Sequence, residues 1–170
     1  GAVCHARGVL FHTDAVQAAG HVKIDVNAMH IDMLSLSAHK FHGPKGVGML
    51  YARRGIILTN LIEGGAQERG KRGGTENTPA IAGMAAALRE AVEHMAENTE
   101  KVTRLRETLI AGLSTIEHAR LNGDRAQRVP GCESQNIFSL ASAGFSLTEE
   151  VRKIPAETGV FKKTLYISTL

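Results

Sequence analysis

The 170-residue sequence contains no tryptophan, and only 4% of its residues are aromatic. Its basic residues concentrate between Arg53 and Arg72, but no aromatic side chains that could stack on bases are interleaved with them. We therefore expect a solvated loop or a small-phosphate site there and no binding of nucleic acid. No apolar run approaches the ~20 residues that a bilayer requires, which predicts that no membrane span is present.

Cysteine is also scarce, with only Cys4 and Cys132, far apart in the sequence. This spacing indicates neither a disulfide framework nor a zinc site, and a reducing cytoplasm is the expected location. The pair His39 and His42 is half of a metal-binding pattern that no nearby cysteine or acid completes, so we expect no metal. The sequence begins with neither an initiator methionine nor a signal peptide, and we interpret it as an internal part of a longer chain.

Three short apolar segments, residues 8–14, 32–37 and 46–52, predict strands of a sheet covered on both faces. Polar residues follow these strands, where open α/β sheets usually bind ligands. Between the first two strands, residues 25–30 predict a short helix that Asp25 or Asn27 would cap.

A glycine-rich loop, Gly64–Gly74, precedes two predicted helices. Asn77 or Thr78 is expected to cap the first helix, with Pro79 in its first turn. Apolar residues keep helical spacing and predict core-facing stripes, interrupted by a polar break near residue 98. The remaining predicted elements are the stripes at 81–95 and 102–116, strands at 136–140 and 164–168, and a short helix at 148–153.

Lys40 directly follows the second predicted strand, within the segment Ser37-Ala38-His39-Lys40, and precedes a Gly43-Pro44 turn. A pyridoxal-phosphate (PLP) enzyme needs a lysine for covalent attachment, an anion beside the pyridine nitrogen and donors for the phosphate. A reactive amine held between a hydroxyl, a histidine and a tight turn is suited to the first task. Taken alone, a lysine after a strand is more often a surface residue, and Lys45 in the same turn is expected to face solvent.

Three segments, His12–Gln17, Ser35–Gly46 and Gly64–Asn77, together resemble the PLP site of cysteine desulfurases of the class-V aminotransferase family. The pattern in Gly64–Asn77 is similar to the NifS-like branch, rather than to the SufS-like branch or to general aminotransferases. The match covers roughly residues 8–122.

The resemblance implies an α/β protein of the PLP-dependent transferase fold type I. Residues 1–96 would form part of a large PLP-binding domain with a mostly parallel sheet. Residues 97–170 would form a connecting helix and part of a small α+β C-terminal domain, with an atypical tail after about residue 130.

The resemblance also assigns cofactor roles to six residues. Lys40 would be the catalytic lysine bonded to PLP, Asp14 would pair with the protonated pyridine nitrogen, and Gln17 would donate to the phenolic oxygen. The phosphate ligands would be Ser37 and His39, joined by Thr75 reaching the cofactor of a partner subunit in a homodimer. Without the resemblance, Asp14 could equally cap the following turn, and Gln17 could be a surface glutamine.

A full-length relative would remove sulfur from L-cysteine, giving L-alanine and an enzyme persulfide that feeds an iron–sulfur scaffold protein, for nitrogen fixation or housekeeping. Neither Cys4 nor Cys132 has the context of the persulfide-forming cysteine, so this chain alone is expected to be inactive. Truncation, frameshift and genuine loss all remain open. The alternatives are another enzyme of this fold, such as a selenocysteine lyase or aminotransferase, and a catalytically inactive folded fragment.

Overall fold

The computed structural model describes residues 1–117 and 119–130, together with the backbone of residues 138–140. The chain divides into two compact units, Gly1–His94 and Met95–Leu170. That these units belong to a large cofactor-binding domain and a small domain stays a prediction.

The first unit is built on a three-stranded mixed sheet in the order β1-β2-β3. Strand β1 runs parallel to β2, with Asp14 opposite Ser35, and β3 runs antiparallel to β2, with Gly48 opposite Ser37. The mixed α/β architecture is that of the expected fold class. The elements of this unit are α1 (Ala2–Ala6), β1 (His12–Asp14), β2 (Met33–Ser37), a 3-10 helix (Ala38–Phe41), β3 (Gly48–Ala52), α2 (Gln67–Gly70) and α3 (Thr78–Glu93).

The first strand is shorter than the sequence predicts. The prediction that the strand begins at the apolar residues after Gly8 is wrong, because β1 begins only at His12. Val9 and Leu10 are 57% and 59% exposed. The reason is local: Gly8 takes a positive φ of 64°, and the amide of Val9 donates to the carbonyl of Cys4 at the end of α1. These bonds place residues 8–10 in the turn that leaves α1.

The helix predicted at residues 25–30 is also wrong, because the segment forms a single turn. The carboxylate of Asp25 accepts from the amides of Asn27 and Ala28, as a helix cap would. The bond from Ala28, and then that from Asn27, lower the pKa of Asp25. His30 then takes a left-handed φ of 51°, which stops the turn from growing into a helix.

The core of the first unit lies on one face of the sheet. Alternation along β2 sends Leu34 and Leu36 into it and leaves Ser35 and Ser37 on the opposite face. Full burial of a side chain as large as that of Phe41, which is 1% exposed, contributes roughly 1.5–3 kcal/mol. The buried core residues are Ala15, Ala19, Ile31, Leu34, Leu36, Ala38, Phe41 and Met84.

Helix α3 begins as predicted, with Pro79 in its first turn and the side chain of Asn77 accepting from the amide of Ala80 at 3.3 Å. The expected break near Asn98 is wrong, because α3 ends at Glu93, His94 follows as its cap, and residue 98 lies inside the next helix.

The apolar stripe of α3 is only partly buried. Met84 lies in the core, whereas Ile81 and Val92 are 37% and 53% exposed. The expectation that the whole stripe faces the core is therefore wrong at those two positions.

The second unit contains α4 (Met95–Leu113), β4 (Ala119–Leu121) and β5 (Phe138–Leu140), and the two strands pair antiparallel. The strand predicted at 136–140 is thus confirmed over its last three residues. The helix predicted at 148–153, the strand at 164–168 and Cys132 lie outside the described residues. Within the part of the chain that the structure describes, no helix is both long and apolar enough to span a membrane.

Candidate active site

Four of the predicted site residues come from one edge of the sheet. Because β1 and β2 are parallel, their carboxyl ends meet there, and Asp14 ends β1 beside β2. Strand β2 ends at Ser37 and leads directly into the 3-10 helix that carries His39 and Lys40. The chain path therefore gathers a carboxylate, a hydroxyl, an imidazole and an amine at one place.

The 3-10 helix is anchored by two buried side chains. Ala38 and Phe41 are 0% and 1% exposed, while His39 is exposed and Lys40 half-buried. The spacing i, i+3 of the two buried residues matches a 3-10 turn, so the two polar residues between them stay outside the core. The extended backbone of β2 thus ends at Ser37, and the chain continues as a 3-10 turn with Ala38 buried.

The turn after the 3-10 helix is tight. The amide of Gly43 donates to the carbonyl of Ala38 at 2.9 Å, and a Cβ on Gly43 would lie 2.9 Å from the Cβ of Ala38. Only glycine fits this approach. Lys45, later in the same turn, is exposed as predicted.

Ser37 and His39 form a polar pair. The hydroxyl of Ser37 and Nδ1 of His39 share a hydrogen bond of 2.9 Å. The pair lies immediately before Lys40 in the chain, and a hydroxyl and an imidazole N–H can both donate to an anion. This arrangement suits a phosphate group held beside the lysine.

The backbone at Lys40 is fixed by a residue that the sequence did not single out. Nε2 of His21 donates to the carbonyl oxygen of Lys40 at 3.0 Å, since a carbonyl can only accept. His21 follows the turn after β1, so this bond ties the lysine to the Asp14 segment. No sequence pattern that we used marks His21 for this task.

Asp14 performs the capping role that the sequence left open and keeps one carboxylate oxygen available. One carboxylate oxygen, Oδ1, accepts from the amide of Val16 at 2.8 Å, which is the capping role. Asp14 is exposed, and its other oxygen has no hydrogen-bond partner among the residues that the structure describes. That oxygen can therefore accept from a ligand.

Gln17 and Thr75 are not brought into contact with these groups. Gln17 is exposed in the turn after β1, and Thr75 is exposed between the glycine-rich loop and α3. Over residues 1–117 and 119–130, neither side chain forms a hydrogen bond with the other predicted site residues.

The donor set fits PLP. An amine, a carboxylate with a free oxygen, and a hydroxyl–imidazole pair are the three kinds of group that this cofactor requires. A metal fits less well, because the described residues hold no group of three histidine, cysteine or acidic side chains that could bind one. The thiol of Cys4 is free.

Comparison with known proteins shows which family this chain resembles. The family model of aminotransferase class-V matches residues 1–159. Cysteine desulfurase IscS of Clostridium botulinum is 46% identical over 162 residues, which cover 94% of this chain and 41% of that protein. A solved NifS-like protein is 42% identical with a TM-score of 0.69, covering 73% of this chain and 34% of the other. DndA from Streptomyces lividans is 36% identical with a TM-score of 0.70, covering 76% and 37%.

The chain thus spans about 40% of the length of the curated relatives it matches. The resemblance read from the motifs is confirmed, and the fold is that of PLP-dependent fold type I proteins. The chain belongs to the class-V aminotransferase family.

Proposed function

We propose that this chain binds PLP through Lys40 and supplies the cofactor-holding part of a cysteine desulfurase. The observation that carries the proposal is the position of Lys40 directly after the Ser37–His39 pair, at the sheet edge where Asp14 ends β1. Relatives named cysteine desulfurase support L-cysteine as the substrate, with L-alanine and a protein persulfide as the products.

Each residue has a distinct task in this proposal. Lys40 would hold the cofactor covalently, and its amine, once released by the incoming substrate, would exchange a proton with the substrate carbon. The Asp14 carboxylate would pair with the pyridine nitrogen and favour its protonated form, because an adjacent negative charge favours the charged form. When bound, PLP supplies an electron sink for the bonding pair that leaves the substrate.

The remaining three ligands orient the cofactor. Ser37 and His39 would donate to the phosphate in place of the bond that they share with each other. Charge-assisted bonds of this kind are about twice as strong as neutral ones. Gln17 would donate to the phenolic oxygen of the ring. Thr75 would reach the phosphate of a second copy of the chain, which makes a homodimer part of the proposal.

The sulfur would pass to an iron–sulfur scaffold protein in the cytoplasm. Supply for nitrogen fixation and supply for general cluster assembly are both compatible with this chemistry. The persulfide requires a cysteine thiolate as nucleophile. We do not assign this role to Cys4, because it precedes the site in the chain.

The response of the PLP-loaded chain to L-cysteine tests the proposal. We expect wild type and the Lys45→Ala control to show the absorbance of lysine-bound PLP and L-cysteine to convert it, whereas Lys40→Ala should lack that starting absorbance. Incubation with L-alanine and a keto acid should yield no transamination product. A response that depends on Lys45 would contradict the role of Lys40. Steady transamination would contradict a desulfurase and favour an aminotransferase.

A further inference from the structure

His12 and Ser35 are joined across the parallel pair of strands. Nε2 of His12 and the hydroxyl oxygen of Ser35 lie 2.7 Å apart. Alternation along β1 places His12 and Asp14 on the same face of the sheet, and Ser35 is the register partner of Asp14. This face is opposite the core, since Leu34 and Leu36 point the other way.

Ser35 holds the chain on both sides of Asp14. Its hydroxyl binds His12, two residues before Asp14, and its carbonyl accepts from the amide of Ala15, one residue after it, at 2.8 Å. Strand β1 has only three residues and pairs only with β2 in the described sheet, so few ladder bonds hold it. On the other side of Ser35, its partner in β3 is the apolar Leu50, which cannot compete for the hydroxyl.

We propose that His12 and Ser35 are positioning residues that fix the direction of the Asp14 carboxylate; this inference rests on the proposed PLP function. With Oδ1 bound to the amide of Val16, the direction of the free oxygen depends on where the end of β1 lies. The bond between His12 and Ser35 fixes that end without either side chain having to touch the cofactor.

The cofactor-free chain provides the first test. The amide of Val16 reports on Asp14, because it donates to Oδ1. We expect its hydrogen exchange, measured by NMR, to accelerate about threefold to tenfold in Ser35→Ala and in His12→Phe, the range for loss of one ordinary hydrogen bond. Since the two residues act as one pair, the double variant should be no worse than either single variant.

Conservative variants and a control separate positioning from general stability. Ser35→Thr keeps the hydroxyl and His12→Gln keeps an Nε2 donor, so both should exchange as wild type does. Thr13→Val removes a hydroxyl from the opposite face of β1, where it makes only a long bond of 3.5 Å to the carbonyl of Asp14 among the described residues, and should leave Val16 unchanged. If Ser35→Ala lowers thermal stability but Val16 exchanges at the wild-type rate, or if Ser35→Thr behaves as Ser35→Ala does, the proposal is overturned.

The loaded chain provides the second test, through the ¹⁵N chemical shift of the ring nitrogen in ¹⁵N-labelled PLP. We expect a protonated nitrogen in wild type and Ser35→Thr, and a partly deprotonated one in Ser35→Ala. An identical shift in all variants overturns the proposal. If wild type binds no PLP, the proposed function fails, whereas the Val16 measurement still shows whether the pair positions Asp14.

Discussion

At the scale of single residues, Arg53 shows how a charged side chain sets the start of β1. Its guanidinium donates to the carbonyls of Val26 and Ile31, each at 2.9 Å, and lies 3.3 Å from the carboxylate of Asp32. The other oxygen of Asp32 accepts from the amide of Phe11, the residue before β1. The sequence placed Arg53 in a solvated basic cluster, because composition cannot show which arginine meets backbone carbonyls.

We predict that Arg53→Met lowers the free energy of unfolding by about 1–3 kcal/mol, because it leaves two carbonyls and Asp32 without this donor. Arg53→Lys should recover only part, since an ammonium lacks the planar fork that serves several acceptors at once. The neighbouring Arg54 is exposed, and Arg54→Met should stay within about 0.5 kcal/mol of wild type. Urea unfolding measures all three, and equal losses in Arg53→Met and Arg54→Met would contradict this role.

At the scale of elements, α3 packs against the turn that follows Lys40. A Cβ built on Gly83 of α3 would lie 2.9 Å from Cγ and 3.3 Å from Cδ of Pro44. The missing side chain at Gly83 therefore lets the helix approach the turn closely. The contact is made with the turn that follows the 3-10 helix, whereas β2 precedes that helix.

Gly83→Ala is the variant that tests this packing. Helix propensity alone would make it stabilising by about 0.5–1 kcal/mol. We predict the opposite sign, because the proline ring is rigid and must shift to admit a methyl group. In a Pro44→Ala background the same change should become neutral or stabilising. Thermal unfolding of the four proteins gives the comparison, and a stabilised Gly83→Ala single variant would show that the contact is loose.

In the second unit, an ion pair ties α4 to the loop after β4. Oε2 of Glu107 lies 3.0 Å from Nη2 of Arg125. The hydrogen bonds from Arg125, and then from Arg106, lower the pKa of Glu107 from its ordinary value of 4.5. Because the folded-state pKa is the lower one, the pair stabilises the fold above about pH 4.5, and this contribution is lost as pH falls through the folded-state pKa.

We therefore predict that Glu107→Gln reduces the acid dependence of the melting temperature below pH 4.5, while Glu100→Gln, an exposed change on the same helix, does not. Melting curves between pH 3 and pH 7 measure this dependence. Two variants with the same pH profile would show that the pair contributes nothing to stability.

The sequence predicted elements best where the signal was local. The cap at Asn77 and the strand that ends at Ser37 depend on neighbouring residues and were found as predicted. The start of β1 and the boundary between α3 and α4 at His94 were not predicted. The start of β1 depends on contacts such as the bond from the amide of Val9 to the carbonyl of Cys4, which the apolar pattern does not reveal. Likewise, motifs pointed to Lys40 and Asp14 as candidates but not to His21 or Ser35, whose bonds to Lys40 and His12 join residues far apart in the sequence.

At the scale of the whole molecule, Thr75 is the predicted site residue whose role involves a second copy of the chain. It is exposed and forms no described bond with the other site residues, and its reach to the cofactor of a second copy stays a prediction. A hydrogen bond to a charged phosphate contributes about 1.5–3 kcal/mol. We predict that Thr75→Ala weakens PLP retention roughly tenfold or more and leaves the fold intact.

Mixing Thr75→Ala with Lys40→Ala tests the exchange between copies. In a mixed dimer, the intact Lys40 of one copy would share a site with the intact Thr75 of the other. We expect tightly held PLP to reappear in the mixture, as measured by absorbance after gel filtration. Mixed dimers that retain no more PLP than the separate variants would place Thr75 within its own subunit or outside the site.

The attachment of PLP to Lys40 is the central claim for the molecule as a whole. Borohydride reduction of the PLP-treated chain, followed by mass mapping of its peptides, tests it most directly. We predict one modified lysine, Lys40, in wild type and in Lys45→Ala, and no specific modification in Lys40→Ala. Modification at Lys45 instead, or an unmodified Lys40 in the wild-type chain, would contradict the claim.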